Sequence, residues 1–157
     1  MKKVLIVAYS FPPVGGGRVI RITKFVKYLA SFGWESVVLT VKKPIVAHYD
    51  FTLLKEIPST VRVVRTFSLE FNWKKLLFKK RNSRENLHSC REKKTAQSLL
   101  QRIAHRLKWW FIFPDSRIGW IPFCVFRGYQ LIKEEKINVI YVNAEPFSAF
   151  ISGVLLK

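Results

Sequence analysis

The chain has 157 residues, 49% of them hydrophobic and 15% aromatic, so it can bury the core of one ordinary domain and is not a disordered tail. Lys and Arg number 28 against 10 Asp and Glu, a formal +18. Small domains carry about 2–8 in magnitude, so an anionic partner is called for: phosphate, nucleic acid or an acidic membrane face.

The longest apolar runs, 4–9 and 118–126, fall short of the roughly 18 residues of a membrane-spanning helix. Met1-Lys2-Lys3 ahead of the first run imitates a secretory leader. The run is too short for one, and Pro12-Pro13 follows with no small-residue cleavage site. Cys90 and Cys124 form neither a close-spaced ligand pair nor a disulfide framework, which fits a reducing compartment. His48, His88 and His105 lack metal-ligand spacing, so no metal site is expected.

In chain order, residues 4–8 are a continuous apolar run with β-branched members, the pattern of a strand buried on both faces of a parallel sheet. Residues 12–17, Pro-Pro-Val-Gly-Gly-Gly, form a turn and loop. Helical spacing follows over 18–32, with Ile22, Phe25, Val26 and Leu29 on one face and Gly33 as the stop. Residues 37–39 are a second strand, and strand, glycine loop, helix and strand open a right-handed βαβ unit. Residues 61–64 are a third strand after the Pro58 turn.

Between residues 74 and 108 stand twelve Lys and Arg against Glu85 and Glu92 only, +10 of the total +18. The basicity is therefore concentrated in an insertion at about 68–112. Residues 119–136 then read as a helix with Pro122 in its first turn or at its true start, 137–142 as a fourth buried strand, and Pro146 opens a last helix. An apolar helix after a buried strand normally crosses to another strand, so the chain reads as the front part of a larger α/β protein. The alternative is a compact small domain that ends on a helix.

The glycine loop lies between a buried strand and a helix whose free N–H groups face it, a natural place for phosphate. Arg18 and Arg21 could add charge-assisted hydrogen bonds. A plain tight turn is the alternative. The spacing is not G-x-G-x-x-G, and Thr40 stands where a ribose-binding carboxylate would end the second strand, which argues against a nicotinamide or flavin dinucleotide. No P-loop motif is present.

Residues 4–21, with their Pro-Pro-x-Gly-Gly-x-x-x-x-Arg opening ending on Arg21, together with Gly33-Trp34-Glu35-Ser36-Val37-Val38-Leu39-Thr40, resemble the start of family 4 glycosyltransferases. Two later blocks agree: Pro114-Asp115-Ser116-Arg117-Ile118-Gly119-Trp120, and residues 137–148 with their strand and small-residue loop. The resemblance implies an α/β Rossmann-like parallel sheet with helices on both faces, the N-terminal, acceptor-side half of a GT-B fold. A donor-binding domain would then lie in a longer chain or a partner subunit.

By that resemblance Gly15, Gly16 and Gly17, with Arg18 and Arg21, approach the diphosphate of a nucleotide-sugar co-substrate. Transfer to a saccharide or lipid-linked acceptor would be metal-independent and retaining, with no tightly bound cofactor. A His that precedes the Glu-Pro of the fourth-strand loop in some relatives is Ala144 here, so no catalytic residue is assigned and the chain alone is expected to be inactive. Asp115, Arg117, Glu145 and Ser148 are acceptor-side candidates. Helix capping by Glu145 and a plain helical role for Ser148 are the alternatives.

The insertion mixes aromatics and cations: Lys74, Lys75, Lys79, Lys80 and Arg81 after Trp73, then Arg102, Arg106, Lys108, Trp109 and Trp110. An in-plane amphipathic anchor on an anionic leaflet needs this mix, which suits a cytoplasmic enzyme on the inner membrane face with a lipid-linked acceptor. Packing of the apolar stripe on the domain is the alternative. Nucleic acid is a weaker one, since no RNA-binding or helix-turn-helix signature is present. A non-catalytic binding module of the same fold is the rival to an enzyme.

Overall fold

The structure is a computed structural model, and it describes residues 2–44, 48–69 and 115–157. The membrane-surface candidates between Lys74 and Trp110 lie outside the described residues. Strand β1 (Lys2–Val7) leads to helix α1 (Gly17–Ser31) and strand β2 (Trp34–Val41). A 3-10 turn (Thr52–Glu56) precedes strand β3 (Arg62–Thr66). A second 3-10 turn (Ile118–Trp120) runs into helix α2 (Ile121–Glu135), followed by strand β4 (Val139–Val142) and helix α3 (Ser148–Leu155).

The four strands form one parallel sheet in the order β3-β2-β1-β4. Leu5 lies beside Val37 of β2 and Ile140 of β4, so β1 is central. Its side chains alternate between the faces, as the period of two requires. Leu5 and Val7, with Val37 and Leu39, pack against Cys124 and Leu131 of α2 and Ala149 of α3. Val4 and Ile6, with Val38, pack against Ile22 and Val26 of α1. Helices therefore cover both faces, the α/β Rossmann-like arrangement expected from the continuous apolar runs.

The apolar face of α1 is rotated from the expected one. Val19, Ile22, Thr23 and Val26 are buried, while Phe25 is part-exposed and lies against Tyr141, ring centres 4.6 Å apart. Thr23 can be buried because its hydroxyl donates to the Val19 carbonyl at 2.8 Å. Pro122 sits in the first turn of α2, where its missing N–H costs nothing. Gly128 lets α2 and α3 approach: a Cβ there would stand 2.7 Å from Leu156 Cδ1. Cys124 is buried, and burial raises its thiol to about 12, so it is inert rather than nucleophilic. No helix among the described residues is long and apolar enough to cross a membrane.

Ion pairs tie the amino-terminal edge of the sheet, away from the strand ends where the candidate residues lie. Lys3 reaches Glu135 at 2.7 Å and Glu35 at 3.2 Å, and Arg62 also pairs with Glu135. Hydrogen bonds from Lys3 and then Arg62 hold the Glu135 carboxyl below its ordinary 4.5. Folding therefore favours ionised Glu135. Its stabilisation is full above the ordinary carboxylate range and is lost as pH falls through the folded value. Lys3, raised by Glu135 and Glu35, contributes at pH below its ordinary 10.5 and loses that contribution as pH rises through its folded value. Thermal unfolding followed by circular dichroism is expected to show Tm falling below about pH 4.5. Glu135→Gln is expected to make that acid limb shallower. An unchanged limb would mean that other carboxylates carry it.

Candidate functional site

Helix α1 packs on one face of the sheet and α3 on the other, so the chain leaves β1 and β4 toward opposite faces, and the crevice at the carboxyl ends of such neighbouring strands is the usual ligand position in open α/β sheets. The loop after β1 (residues 8–16) and the loop after β4 (residues 143–147) border this crevice. The helices that follow them, α1 and α3, begin at the same edge.

The three glycines have different situations. Gly15 is held by the chain itself: its N–H donates to the His48 carbonyl at 3.1 Å, and a Cβ would lie 2.4 Å from His48 Cδ2. Gly16 has φ 120° and ψ 157°, a conformation that favours glycine, and no described residue lies within 4 Å of where its Cβ would be. The Gly17 Cβ position is equally open. Gly16 is the N-cap of α1, no side chain among the described residues caps it, and no acidic residue occupies the first turn. Donors and partial positive charge at this helix end therefore face solvent beside Gly16 and Gly17.

Both loop arginines reach across to the β4 side. Arg21 donates to Asn143 Oδ1 at 2.9 Å, and Asn143 is buried, its own N–H extending the ladder to the Val7 carbonyl. Arg18 pairs with Glu145 at 2.9 Å, both side chains more than half exposed. An exposed pair of this kind contributes little to stability, so an anion can take over Arg18 at small cost.

The acceptor-side candidates meet at the same edge. Asp115 accepts the Ser148 N–H at 2.7 Å through Oδ2 and the Arg117 N–H at 2.8 Å through Oδ1. Asp115 thus caps the first turn of α3 from a distant part of the chain, and Glu145 does not act as the cap. Arg117 lies over the Tyr9 ring, 4.9 Å from its centre. Tyr9 in turn meets Trp120 edge-on at 5.4 Å, and the indole N–H donates to Thr66 Oγ1 at 2.7 Å.

Ser148 is fully buried and Tyr9 is 2% exposed, yet Ser148 Oγ and Tyr9 Oη have no hydrogen-bond partner among the described residues. Buried hydroxyls are normally satisfied, and an orphan costs about 1–3 kcal/mol. Sequence reasoning brought Ser148 forward but missed Tyr9 and Asn143. Their signal was position: Asn143 immediately follows β4, and Tyr9 lies two residues past the end of β1.

No protein-family model matches this sequence, and no curated protein sequence does. Among solved structures, apo UGT2 of Phytolacca americana matches over 90% of this chain and 29% of its own, at 16% identity and TM-score 0.33. The same protein complexed with UDP-2-fluoro-glucose and pterostilbene matches over 91% of this chain and 31% of its own, at the same identity and score. The chain thus spans about a third of the length of these neighbours.

Proposed function

We propose that this chain is the acceptor-side, Rossmann-like part of a glycosyltransferase that moves a sugar from a nucleotide-sugar to a saccharide or lipid-linked acceptor. The observation that carries the reading is the crevice between β1 and β4. There an uncapped helix end with open Gly16 and Gly17 stands beside Arg18 and Arg21. Loop amides and Arg18 would stabilise the charge on a departing diphosphate, with Glu145 released to the acceptor side. The orphaned hydroxyls of Tyr9 and Ser148 are suited to hydrogen-bond a hydroxylated acceptor.

The remainder of the reading is supported by the sequence resemblance alone. It gives a retaining, metal-independent transfer, a donor-binding domain in a longer chain or partner subunit, and a cytoplasmic site on the inner membrane face. The basic, aromatic stretch between Lys74 and Trp110 supports the membrane contact by composition.

Titration with uridine diphosphate or inorganic pyrophosphate, read by amide shifts in nitrogen-15 spectra, tests the crevice. Shifts are expected at Gly16, Gly17 and Arg18. Arg18→Ala and Arg21→Ala should each weaken binding about tenfold or more, the loss of one charge-assisted hydrogen bond. Shifts confined to other parts of the chain, or equal affinity in both variants, would overturn the assignment.

A further inference from the structure

A second cationic cleft opens at the carboxyl edge of the sheet, on the other flank of the glycine loop. Lys42 and Lys43 directly follow β2, and Arg65 is the penultimate residue of β3. The opposite wall is tied down by backbone contacts. Val14 and Tyr49 form an antiparallel bridge, and the Asp50 N–H donates to the Pro13 carbonyl at 2.7 Å. Pro13, Val14, Lys42, Lys43, Tyr49 and Arg65 line a cleft of about 440 Å³.

Arg65 is anchored there by a 2.5 Å hydrogen bond from Nη2 to the Pro12 carbonyl. The residue as a whole is exposed, but its guanidinium is sunk far enough for burial to lower its pKa. None of the three cations has a carboxylate partner among the described residues, whereas Arg18, Lys24 and Arg62 each have one. Three like charges gathered over walls of Pro, Val and Tyr make a focused positive potential with unused donors.

We propose that this cleft binds a phosphate group on a molecule whose organic part lies against the Tyr49 ring. A phosphate offers about two negative charges and three acceptor oxygens, enough to engage all three cations, where a carboxylate offers one charge and two oxygens. Tyr49 is half exposed and stacked on Phe51, ring centres 6.4 Å apart, which leaves it available to a sugar ring or another flat moiety. The site is separate from the β1–β4 crevice and does not rest on the glycosyl-transfer reading. The phosphate can come from a soluble ester or a lipid headgroup.

The test uses the whole chain with three probes: inorganic phosphate, glucose 1-phosphate, and vesicles of phosphatidylglycerol in phosphatidylcholine. Both lysines are exposed, so Lys42→Gln/Lys43→Gln should fold, which circular dichroism checks. Wild-type amide shifts are expected at Val14, Lys43 and Tyr49. The double variant should bind glucose 1-phosphate or the vesicles about tenfold or more weakly. Loss of the soluble ester assigns the phosphate to a small molecule, and loss of vesicles alone assigns it to a headgroup. Arg18→Ala should leave these signals in place, which separates this cleft from the crevice. Retention of wild-type affinity for all three probes by the double variant, or shifts only outside the cleft, overturns the proposal.

Discussion

Trp120→Ala is expected to cost the fold about 3–5 kcal/mol, the range for emptying a buried large aromatic. Trp120 is fully buried and belongs to the core cluster under β1 and β2. Its ring is the edge-on partner of Tyr9, and its indole N–H holds Thr66 at the end of β3. A domain of this size has about 5–15 kcal/mol in all, so this one change removes a large part of it. Urea unfolding followed by far-ultraviolet circular dichroism measures the loss as a lower midpoint at constant slope.

Two further variants separate packing from hydrogen bonding. Trp120→Phe keeps a ring in place and gives up the bond to Thr66. Thr66 Oγ1 still donates to the Thr40 carbonyl at 3.3 Å, so no hydroxyl is orphaned. Beyond the smaller ring, the lost bond should cost about 0.5–1.5 kcal/mol. Thr66→Val strands the indole N–H in the core and should cost about 1–3 kcal/mol. If Trp120→Ala costs no more than Trp120→Phe, the ring is not what holds Tyr9 in place below Arg117.

The contrast between local and distant contacts also explains what the sequence could reveal. Residues 4–8 and 37–39 announce buried strands because both faces of the sheet are covered, and no periodic alternative competes. Pro122 announces the start of α2 because only a first turn tolerates it. The third strand runs on to Thr66, beyond the expected 64, because its last residues are Arg65 and Thr66, which are held in place by hydrogen bonds with Pro12 and Trp120 rather than by their own hydropathy. The 3-10 turn at Thr52–Glu56 has no periodic signal and is held by Leu53 packing with Val14 and Val19.

In the site, the positions of Gly16, Arg18 and Glu145 follow from strand ends, and these are legible. Their pairing is not, because Arg18 meets Glu145 and Arg21 meets Asn143 only once β4 takes its place beside β1. The cleft of Lys42, Lys43 and Arg65 was missed for the same reason. Two lysines after one strand and an arginine in the next read as solvated charges until parallel pairing sets them side by side.

The glycine loop supplies the other large expected effect, and its three residues should respond differently to the same methyl group. Gly16→Ala is expected to destabilise by about 1–3 kcal/mol, the cost of holding a non-glycine residue in that backbone region. There is open space for its methyl, so the cost is conformational rather than steric. At Gly15 the new Cβ meets an exposed imidazole that can swing aside, so Gly15→Ala should cost less than Gly16→Ala unless the Asp50 Cβ, 3.3 Å away, must also move.

Gly17 lies in the first turn of α1, outside the positive-φ region and free of neighbours. Gly17→Ala should therefore stabilise by about 0.4–1 kcal/mol, because alanine lowers the entropy of the unfolded chain. Ligand binding should move the opposite way at this position. A methyl at the helix end keeps a diphosphate from close approach to the amides, so Gly17→Ala should unfold at a higher temperature yet bind pyrophosphate more weakly. A turn with no ligand has no reason to show that divergence. If Gly17→Ala gains stability and binds pyrophosphate as the wild type does, the loop is a turn alone and the crevice loses its anion site.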